Sequence, residues 1–489
     1  MSSPVEIPFL SFIDLDREAK TPIYLQLAQQ LINAIQRGYL VPNTKMPGSR
    51  TLSELLQLHR KTVIAAYDDL HHQGWIAILP NKGAFVMDNK TRISERPYEV
   101  SLANYPLKTG YDFKQSNILD NPFELSDCTY QFTDGITDIR LTEIKQLSSL
   151  YSSTLKRKNT LKKIGNPLHI SEYFKEQLSN YLNSSRGLHI SKSNLLITRN
   201  TEMSLYIIAQ LLIAPNDIVM VAELGLFTAN MTFQKVGANV KTLAVDEQGI
   251  DVDQLSEILK TNKIRAVYIT PHHHYPTTVS LGAQRRVQLL QLAQAHGFII
   301  IEDDYDYDFH YDKSTIMPLA SADTNGMVIY VGTFGKSLTP SFSTGFVVAP
   351  QNFIIEMQKY LSILDRQGDV VMEQVLGEMI AEGHIHRYLK KSVKVYRERR
   401  NNCCALLVKH FGHESTFSIP SGGLAIWLDW NIPISLLQLA KNCQKNDLFI
   451  PKNILYQNRK TTAMRIGFGH LTTNEMEKSL EILAACLIQ

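Results

Sequence analysis

Cysteine is scarce. There are five in 489 residues (Cys128, Cys403, Cys404, Cys443 and Cys486), an odd number with no Cys-x-x-Cys pair among them. That speaks against a disulfide framework or a zinc knuckle and for reduced thiols in a cytoplasmic protein. No run approaches the roughly 18 uninterrupted apolar residues of a membrane helix. The opening Met-Ser-Ser-Pro-Val-Glu-Ile-Pro lacks the basic start and apolar stretch of a secretory signal. There is no internal repeat and no low-complexity tract. Charge of one sign is also missing: the formal net charge is only +3, so any nucleic-acid contact has to come from a local patch. What is present is a 44% hydrophobic, 20% charged composition typical of a soluble globular chain, long enough for two or more domains.

The first domain is expected over residues 14–89, with its regular part from 21. Thr21-Pro22 offers an N-cap and a first-turn proline, and Tyr24, Leu27, Ala28, Leu31, Ile32 and Ile35 follow helical spacing until Gly38 and Pro42. Ser49 opens a second short helix. A third starts near Arg60 and carries Val63, Ala66, Tyr67 and Leu70 on one face up to Gly74. Trp75 to Val86 then reads as a hairpin with its tip at Asn81–Gly83, which completes a winged helix-turn-helix. Residues 90–130 are polar, proline-containing and aperiodic, the pattern of a linker that partly wraps a neighbouring surface. From 131 to 489, strand-like runs (Asn194–Thr198, Ile218–Ala222, Ala266–Thr270, Phe298–Glu302, Met327–Val331) alternate with amphipathic helices such as Gln284–Ala295. That alternation predicts an α/β domain with a mostly parallel sheet covered on both faces. A smaller α+β region is expected over about 375–489, with a long charged helix (Arg387 to His410) and strands at Gly422–Leu428 and Ala463–Phe468.

Between Arg37 and Lys61 the cations are Arg37, Lys45, Arg50, Arg60 and Lys61, and the only acid is Glu54. A recognition helix needs cations at its N-terminal end to meet phosphates and side chains that reach base edges. His59, Arg60, Lys61 and Thr62 supply that cluster, Arg50 flanks it, and Lys82 with Gly83 sits at the wing tip. A scattered basic patch is more often a solvated surface, but the Pro47-Gly-Ser-Arg50 turn and the hairpin favour double-stranded DNA. The segment resembles the GntR-type winged helix over its whole length through Thr21-Pro-Ile-Tyr-x-Gln-Leu, Met46-Pro-x-Ser-Arg50, Arg60-Lys-Thr62-Val, Ala66-Tyr-x-x-Leu70 and Gly83-x-Phe85-Val. The resemblance implies that Arg50, Arg60, Thr62 and Gly83 contact DNA.

Further along, Lys336 lies in Tyr-Val-Gly-Thr-Phe-Gly-Lys-Ser just past one buried-looking strand, and Asp303 and Tyr305 close another, 33 residues upstream of the lysine. Pyridoxal phosphate needs a lysine that can attack its aldehyde as a free amine and a carboxylate to keep its ring nitrogen protonated. It also needs a donor for its phenolate and a cup of N–H groups and hydroxyls for its phosphate. Lys336, Asp303 and Tyr305 fit the first three, and Thr333 fits a hydroxyl in the cup. Any one of these residues alone would more often be structural; the spacing and the placement after successive buried strands set them apart.

From about 21 to 485 the chain resembles MocR-type regulators, which join a GntR winged helix to a fold-type I, class I/II aminotransferase-like domain. The resemblance is carried by Glu302-Asp-Asp-Tyr-Asp306, Tyr330-Val-Gly-Thr-Phe-x-Lys336, Thr270-Pro-x-His273-x-x-Pro276, Gly422-Gly-Leu424 and Arg465-Ile-Gly-Phe468. It implies Lys336 as the Schiff-base lysine, Asp303 as the ring-nitrogen partner, Tyr305 as the phenolate donor, His273 as the loop histidine and Arg465 as the grip on an amino-acid carboxylate. Four positions depart from the family's pattern. Its phosphate-binding arginine is Ser343 here, its Ser-Gly-Thr phosphate turn reads Arg199-Asn200-Thr201, its glycine after Pro-Thr is Thr278, and its ring-stacking aromatic aligns with Leu226. Arg199 and Phe227 are the nearest substitutes for the missing charge and the missing ring.

These observations predict a transcriptional regulator that binds an operator and senses pyridoxal phosphate, an amino-compound effector, or both; the resemblance adds a head-to-tail homodimer. Two other readings stay open: a pyridoxal-phosphate-dependent aminotransferase with residual or real turnover, and a cofactor-free regulator that uses the large domain as a dimerisation scaffold. No metal is expected. His272-His273-His274 sits on an extended segment whose side chains alternate in direction, and Asp304-Tyr-Asp-Tyr-Asp308 lacks the glycine and terminal glutamate of a calcium loop. His310 reads as structural.

Overall fold

The computed structural model describes residues 9–19, 21–80, 82–87, 107–121, 123–164, 172–311, 316–334, 344–366 and 368–487. Lys336, Ser343 and Asn81 lie outside the described residues. The chain divides into two compact units, Met1–Lys114 and Gln115–Gln489.

In the first unit, helices Ile23–Gln36, Ser49–Leu55 and Arg60–His72 precede an antiparallel hairpin of Ile76–Leu79 and Gly83–Val86, registered Ile76 to Val86 and Leu79 to Gly83. The apolar residues that set the helical spacing point inward: Leu27, Ala28 and Leu31 meet Val63, Ala66 and Leu70, all 0–1% exposed. Phe9 and Ile13 complete this core, so it reaches ahead of residue 14. The first helix is not capped by Thr21; Pro22 occupies the N-cap position without a side-chain bond, and the Thr21 carbonyl instead accepts from the Gln26 amide. Lys45 bridges to Phe85 and extends the wing.

The second unit is built on a seven-stranded sheet in the order Leu195–Thr198, Thr344–Val348, Val328–Phe334, Ile299–Asp304, Ile264–Ile269, Ile218–Ala222, Asn239–Leu243. All neighbours run parallel except Thr344–Val348, which is antiparallel to both of its partners. Strands buried on both faces explain the near-continuous apolar runs. Two clusters, one around Val221, Ile301 and Val331 and one around Met220, Val267 and Ile300, contain successive residues of the same strands, as side-chain alternation requires. A four-stranded antiparallel sheet (Ser415–Thr416, Ala425–Trp430, Thr462–Gly467, Leu455–Gln457) packs with helices His384–Phe411 and Thr473–Leu487 as the C-terminal subdomain. Between Gln115 and Thr129 there is no helix or strand among the described residues. That stretch is held on the second unit by the Phe123–Phe227 ring contact and the Glu124–Lys452 ion pair. Among the described residues, no helix is long and apolar enough to cross a membrane.

Candidate cofactor cavity and nucleic-acid interface

The parallel strands Ile299–Asp304 and Val328–Phe334 end at a cavity of about 240 Å³, whose floor includes Asp303 and Thr333. Asp303 is 1% exposed, and one carboxylate oxygen accepts from the Tyr268 hydroxyl at 2.7 Å. Burial, with Asp303 beside it, pushes the Tyr268 phenol well above its ordinary pKa, so it stays protonated and donates. On the far side, helix Thr201–Leu212 begins at the cavity, where the Thr201 and Thr333 hydroxyls lie 2.8 Å apart. Asn200 also lines the space, but its side chain is spent as the helix N-cap, accepting from the Met203 N–H. The close approach of Thr198 and Asn200 to Gly345 leaves no room for a Cβ there. Leu226, Thr270, Tyr275 and the acids Asp134 and Glu202 complete the lining that matters here.

Tyr305 lines the cavity too, donating its hydroxyl to the His273 carbonyl at 2.9 Å and accepting from Arg465 at 3.2 Å. Arg465 is 1% exposed and its fork is engaged elsewhere as well: Nε to the Asp134 carbonyl and Nη1 to the Pro276 carbonyl, each at 2.8 Å, with the guanidinium over the Tyr275 ring. Burial opposes its charge, but the nearby phenols of Tyr305 and Tyr275 and the acids Asp134 and Asp306 outweigh it.

Several expected residues stand elsewhere. His273 is not among the cavity-lining residues; its Nδ1 meets Asp306 at 2.8 Å, and its other nitrogen faces Gly422, where any Cβ would overlap the ring. Arg199 does not reach the cavity because it pairs with Asp365 at 2.5 Å and approaches Asp369. Phe227 packs edge-on against Phe123, 5.9 Å between centroids, which leaves Leu226 as the side chain at the expected ring-stacking position. Thr278 adopts φ +64°, the left-handed conformation that explains why glycine suits that place. The three neighbouring histidines go to three partners: His272 to the Ile316 carbonyl, His273 to Asp306 and His274 to Thr277. Burial holds His272, His274 and His310 neutral, each pulled down to about 3. No group able to hold a metal occurs among the described residues.

Sequence reasoning missed Tyr268, whose one signal is a phenol amid Ala266, Val267 and Ile269 on a buried strand. It also missed Arg186, fully buried at the end of its helix, where it donates to Tyr330 at 2.5 Å and pairs with Asp308 at 3.3 Å. Tyr330 in turn donates to Asp304 at 2.6 Å, so this network braces the strand end that presents Asp303.

In the winged-helix unit, His59 caps the third helix by accepting from the Lys61 N–H at 3.2 Å. Arg60 donates to Ser49 at 3.3 Å, tying the first turn of the third helix to the start of the second. The Tyr67 hydroxyl donates to the Pro47 carbonyl at 2.8 Å and pins the turn between Met46 and Ser49. Arg50, His59, Arg60, Lys61 and Lys82 are exposed, Thr62 is half-buried, and no acid lies in the third helix's first turn. Gly83 opens the second wing strand at φ +106°, a conformation that side chains disfavour.

The fold is a GntR-type winged helix followed by a domain of aminotransferase fold, an organisation similar to that of MocR-type regulators. Residues 23–86 match the family described as "Bacterial regulatory proteins, gntR family". The chain is 25% identical over 482 residues to the HTH-type transcriptional regulator YdeL of Bacillus subtilis, covering 96% of this chain and 98% of that one. It is 25% identical over 426 residues to the probable rhizopine catabolism regulatory protein MocR of Rhizobium meliloti, covering 84% and 82% respectively. In fold it is similar to a kynurenine aminotransferase of Pyrococcus horikoshii solved with PMP, at a TM-score of 0.67 and 23% identity, over 74% of this chain and 91% of that one.

Proposed function

We propose that this protein is a DNA-binding transcriptional regulator whose aminotransferase-like domain binds pyridoxal phosphate, an amino-compound effector attached to it, or both. The observation that carries this reading is the coexistence of an exposed cationic recognition-helix start with a cavity of about 240 Å³ lined by Asp303, Tyr305, Thr201 and Thr333. The donor set fits the cofactor: a buried carboxylate fixed by a neutral phenol, a second phenol, two facing hydroxyls at a helix N-terminus and an apolar wall at Leu226. Asp303 would hold the ring nitrogen, Tyr305 the phenolate oxygen, Thr201 and Thr333 the phosphate, and Lys336 the aldehyde carbon. When bound, the cofactor supplies an electron sink and a covalent anchor for an amine. Tyr268 keeps Asp303 oriented, and the helix N-terminus offers N–H groups to an anion. Ser343 takes the place in sequence of the family's phosphate-binding arginine, and Arg199 is committed to Asp365, so the phosphate would be held chiefly by hydroxyl and backbone donors.

Arg465 serves the effector in this reading, but an incoming carboxylate has to compete with the Asp134 and Pro276 carbonyls. That competition favours sensing over turnover. Both the homodimer and the operator contacts of Arg50, Arg60, Lys61, Thr62, Lys82 and Gly83 belong to this proposal. The test is an absorbance titration of purified protein with pyridoxal phosphate. A visible-range band of the lysine-bound cofactor, lost in Lys336→Ala, is expected; no band at saturating cofactor would overturn the sensing role and leave the large domain as a scaffold.

A further inference from the structure

The winged-helix unit is surprisingly poor in net positive charge. Residues 9–87 carry eight lysines and arginines against six acids. The second unit is nearly neutral as a whole, yet two of its stretches are strongly basic. Residues 144–164 (helices Ile144–Lys156 and Lys158–Ile164) and helix His384–Phe411 together hold 14 of the chain's 50 cations but only one of its 47 acids, Glu398.

Much of this charge is left facing solvent. On the long helix, Arg387, Lys390, Lys391 and Lys394 follow i, i+3, i+4, i+7 spacing and are all exposed, whereas Ile385, Tyr388, Ser392 and Tyr396 turn into the core. The row extends about 10 Å at 1.5 Å per residue. Lys390, Lys391 and Lys394 make no ion pair among the described residues, and neither do Lys145, Lys156, Lys158 and Lys162. Three exposed lysines elsewhere on the same unit do pair with acids: Lys260 with Glu257, Lys359 with Glu356 and Lys478 with Glu481. The Gln146–His384 side-chain bond, 2.6 Å, joins the two basic stretches where Lys145 and Arg387 begin them. Both stretches pack on helix Val370–Ala381. Acids enter this surface at Glu398 and at its edges, where Glu378 pairs with Arg157 and Glu382 with His384, and the lysine row between them is left without acids.

We propose that this face of the aminotransferase-like unit is a second, sequence-independent contact surface for the phosphate backbone of double-stranded DNA. It rests on the reading that the winged helix binds DNA, because that unit brings a duplex to the same chain and so raises the local concentration of phosphate. Lysines without acid partners release the counterions of the phosphates they meet, which strengthens binding in a salt-dependent way without reading bases.

The test measures anisotropy of a labelled random-sequence 40-base-pair duplex with the full chain between 50 and 200 mM KCl. Each phosphate contact contributes about 0.9 to the logarithmic salt slope, so losing three makes the fall in affinity over this range about 40-fold smaller. That result is expected for the triple variant Lys390→Gln, Lys391→Gln, Lys394→Gln. A second triple variant, Lys260→Gln, Lys359→Gln, Lys478→Gln, removes the same charge from paired positions and should keep the wild-type slope. Equal slopes for the two triple variants would overturn the proposal, with matched thermal melts showing that both are folded. Should Arg60→Ala with Lys61→Ala also leave duplex binding unchanged, the DNA-binding reading itself fails, which separates the two.

Discussion

Replacing Tyr268 by phenylalanine removes one oxygen, and its consequences follow from the geometry of the cavity floor. Tyr268 and Asp303 lie on neighbouring strands, the phenol is buried, and among the described residues its one hydrogen bond is the 2.7 Å donation to the Asp303 carboxylate. A hydrogen bond to a charged group contributes about 1.5–3 kcal/mol, and a buried acceptor left without its donor also loses its desolvation compensation. The ring itself stays, so packing against Phe233 is kept and no cavity term arises. Tyr268→Phe should therefore destabilise the aminotransferase-like unit by about 2 kcal/mol, read as a lower midpoint in chemical denaturation followed by a signal specific to that unit. In the proposed reading the same variant should weaken pyridoxal phosphate binding in an absorbance titration, because the carboxylate that would meet the ring nitrogen loses its orienting partner. Unchanged stability together with unchanged cofactor affinity would refute the claim that Tyr268 positions Asp303.

Gly422→Ala should destabilise the second unit by roughly 1–3 kcal/mol in thermal or chemical unfolding, because the new Cβ overlaps His273 and the Phe309 carbonyl in a packed wall. Burial, with Asp304 beside it, pushes the Glu302 carboxyl up from 4.5 to about 8. Its folded form thus holds a proton that the unfolded chain has released, so stability falls as pH rises through that window. Between pH 7 and 9 the loss is on the order of 1 kcal/mol, and Glu302→Gln should flatten it. The buried histidines act oppositely: His272 and His274, pulled down to about 3, bind protons only on unfolding, so stability falls as pH drops from 6.5 toward 3. At the DNA face, Lys61→Gln should reduce the logarithmic salt slope of duplex binding by about one, measured by anisotropy, without altering the melt.

Periodicity made most of the architecture legible. The 3.6-residue spacing of Leu27, Leu31, Val63, Ala66 and Leu70 places the winged-helix core, and the apolar runs at Ile218, Ala266 and Phe298 place parallel strands in the sheet. Two strands of the seven-stranded sheet escaped notice. Asn239–Leu243 is an edge strand with polar side chains, and Thr344–Val348 runs against its neighbours, a direction that no local pattern encodes. The floor of the cavity was legible in Asp303, Tyr305 and Thr333 because strand ends collect functional groups in open α/β sheets. What surrounds it was not. Arg199 is the nearest substitute in sequence for the missing phosphate-binding charge, but Asp365, 166 residues away in sequence, claims it. The carbonyls of Asp134 and Pro276 that occupy Arg465, and the phenol of Tyr268, likewise arrive from distant segments that only the folded chain brings together.

The central claim is that the aminotransferase-like domain's ligand governs the winged helix. An effector can do so only by favouring one state of the chain over another, with a coupling of typically 5- to 150-fold in affinity. The direct measurement is the affinity of the full-length protein for a genomic DNA fragment that it selects, with and without saturating pyridoxal phosphate and an amine. A change of at least fivefold that disappears in Lys336→Ala is the predicted result. Identical affinities in all conditions, from protein shown by absorbance to hold the cofactor, would contradict it.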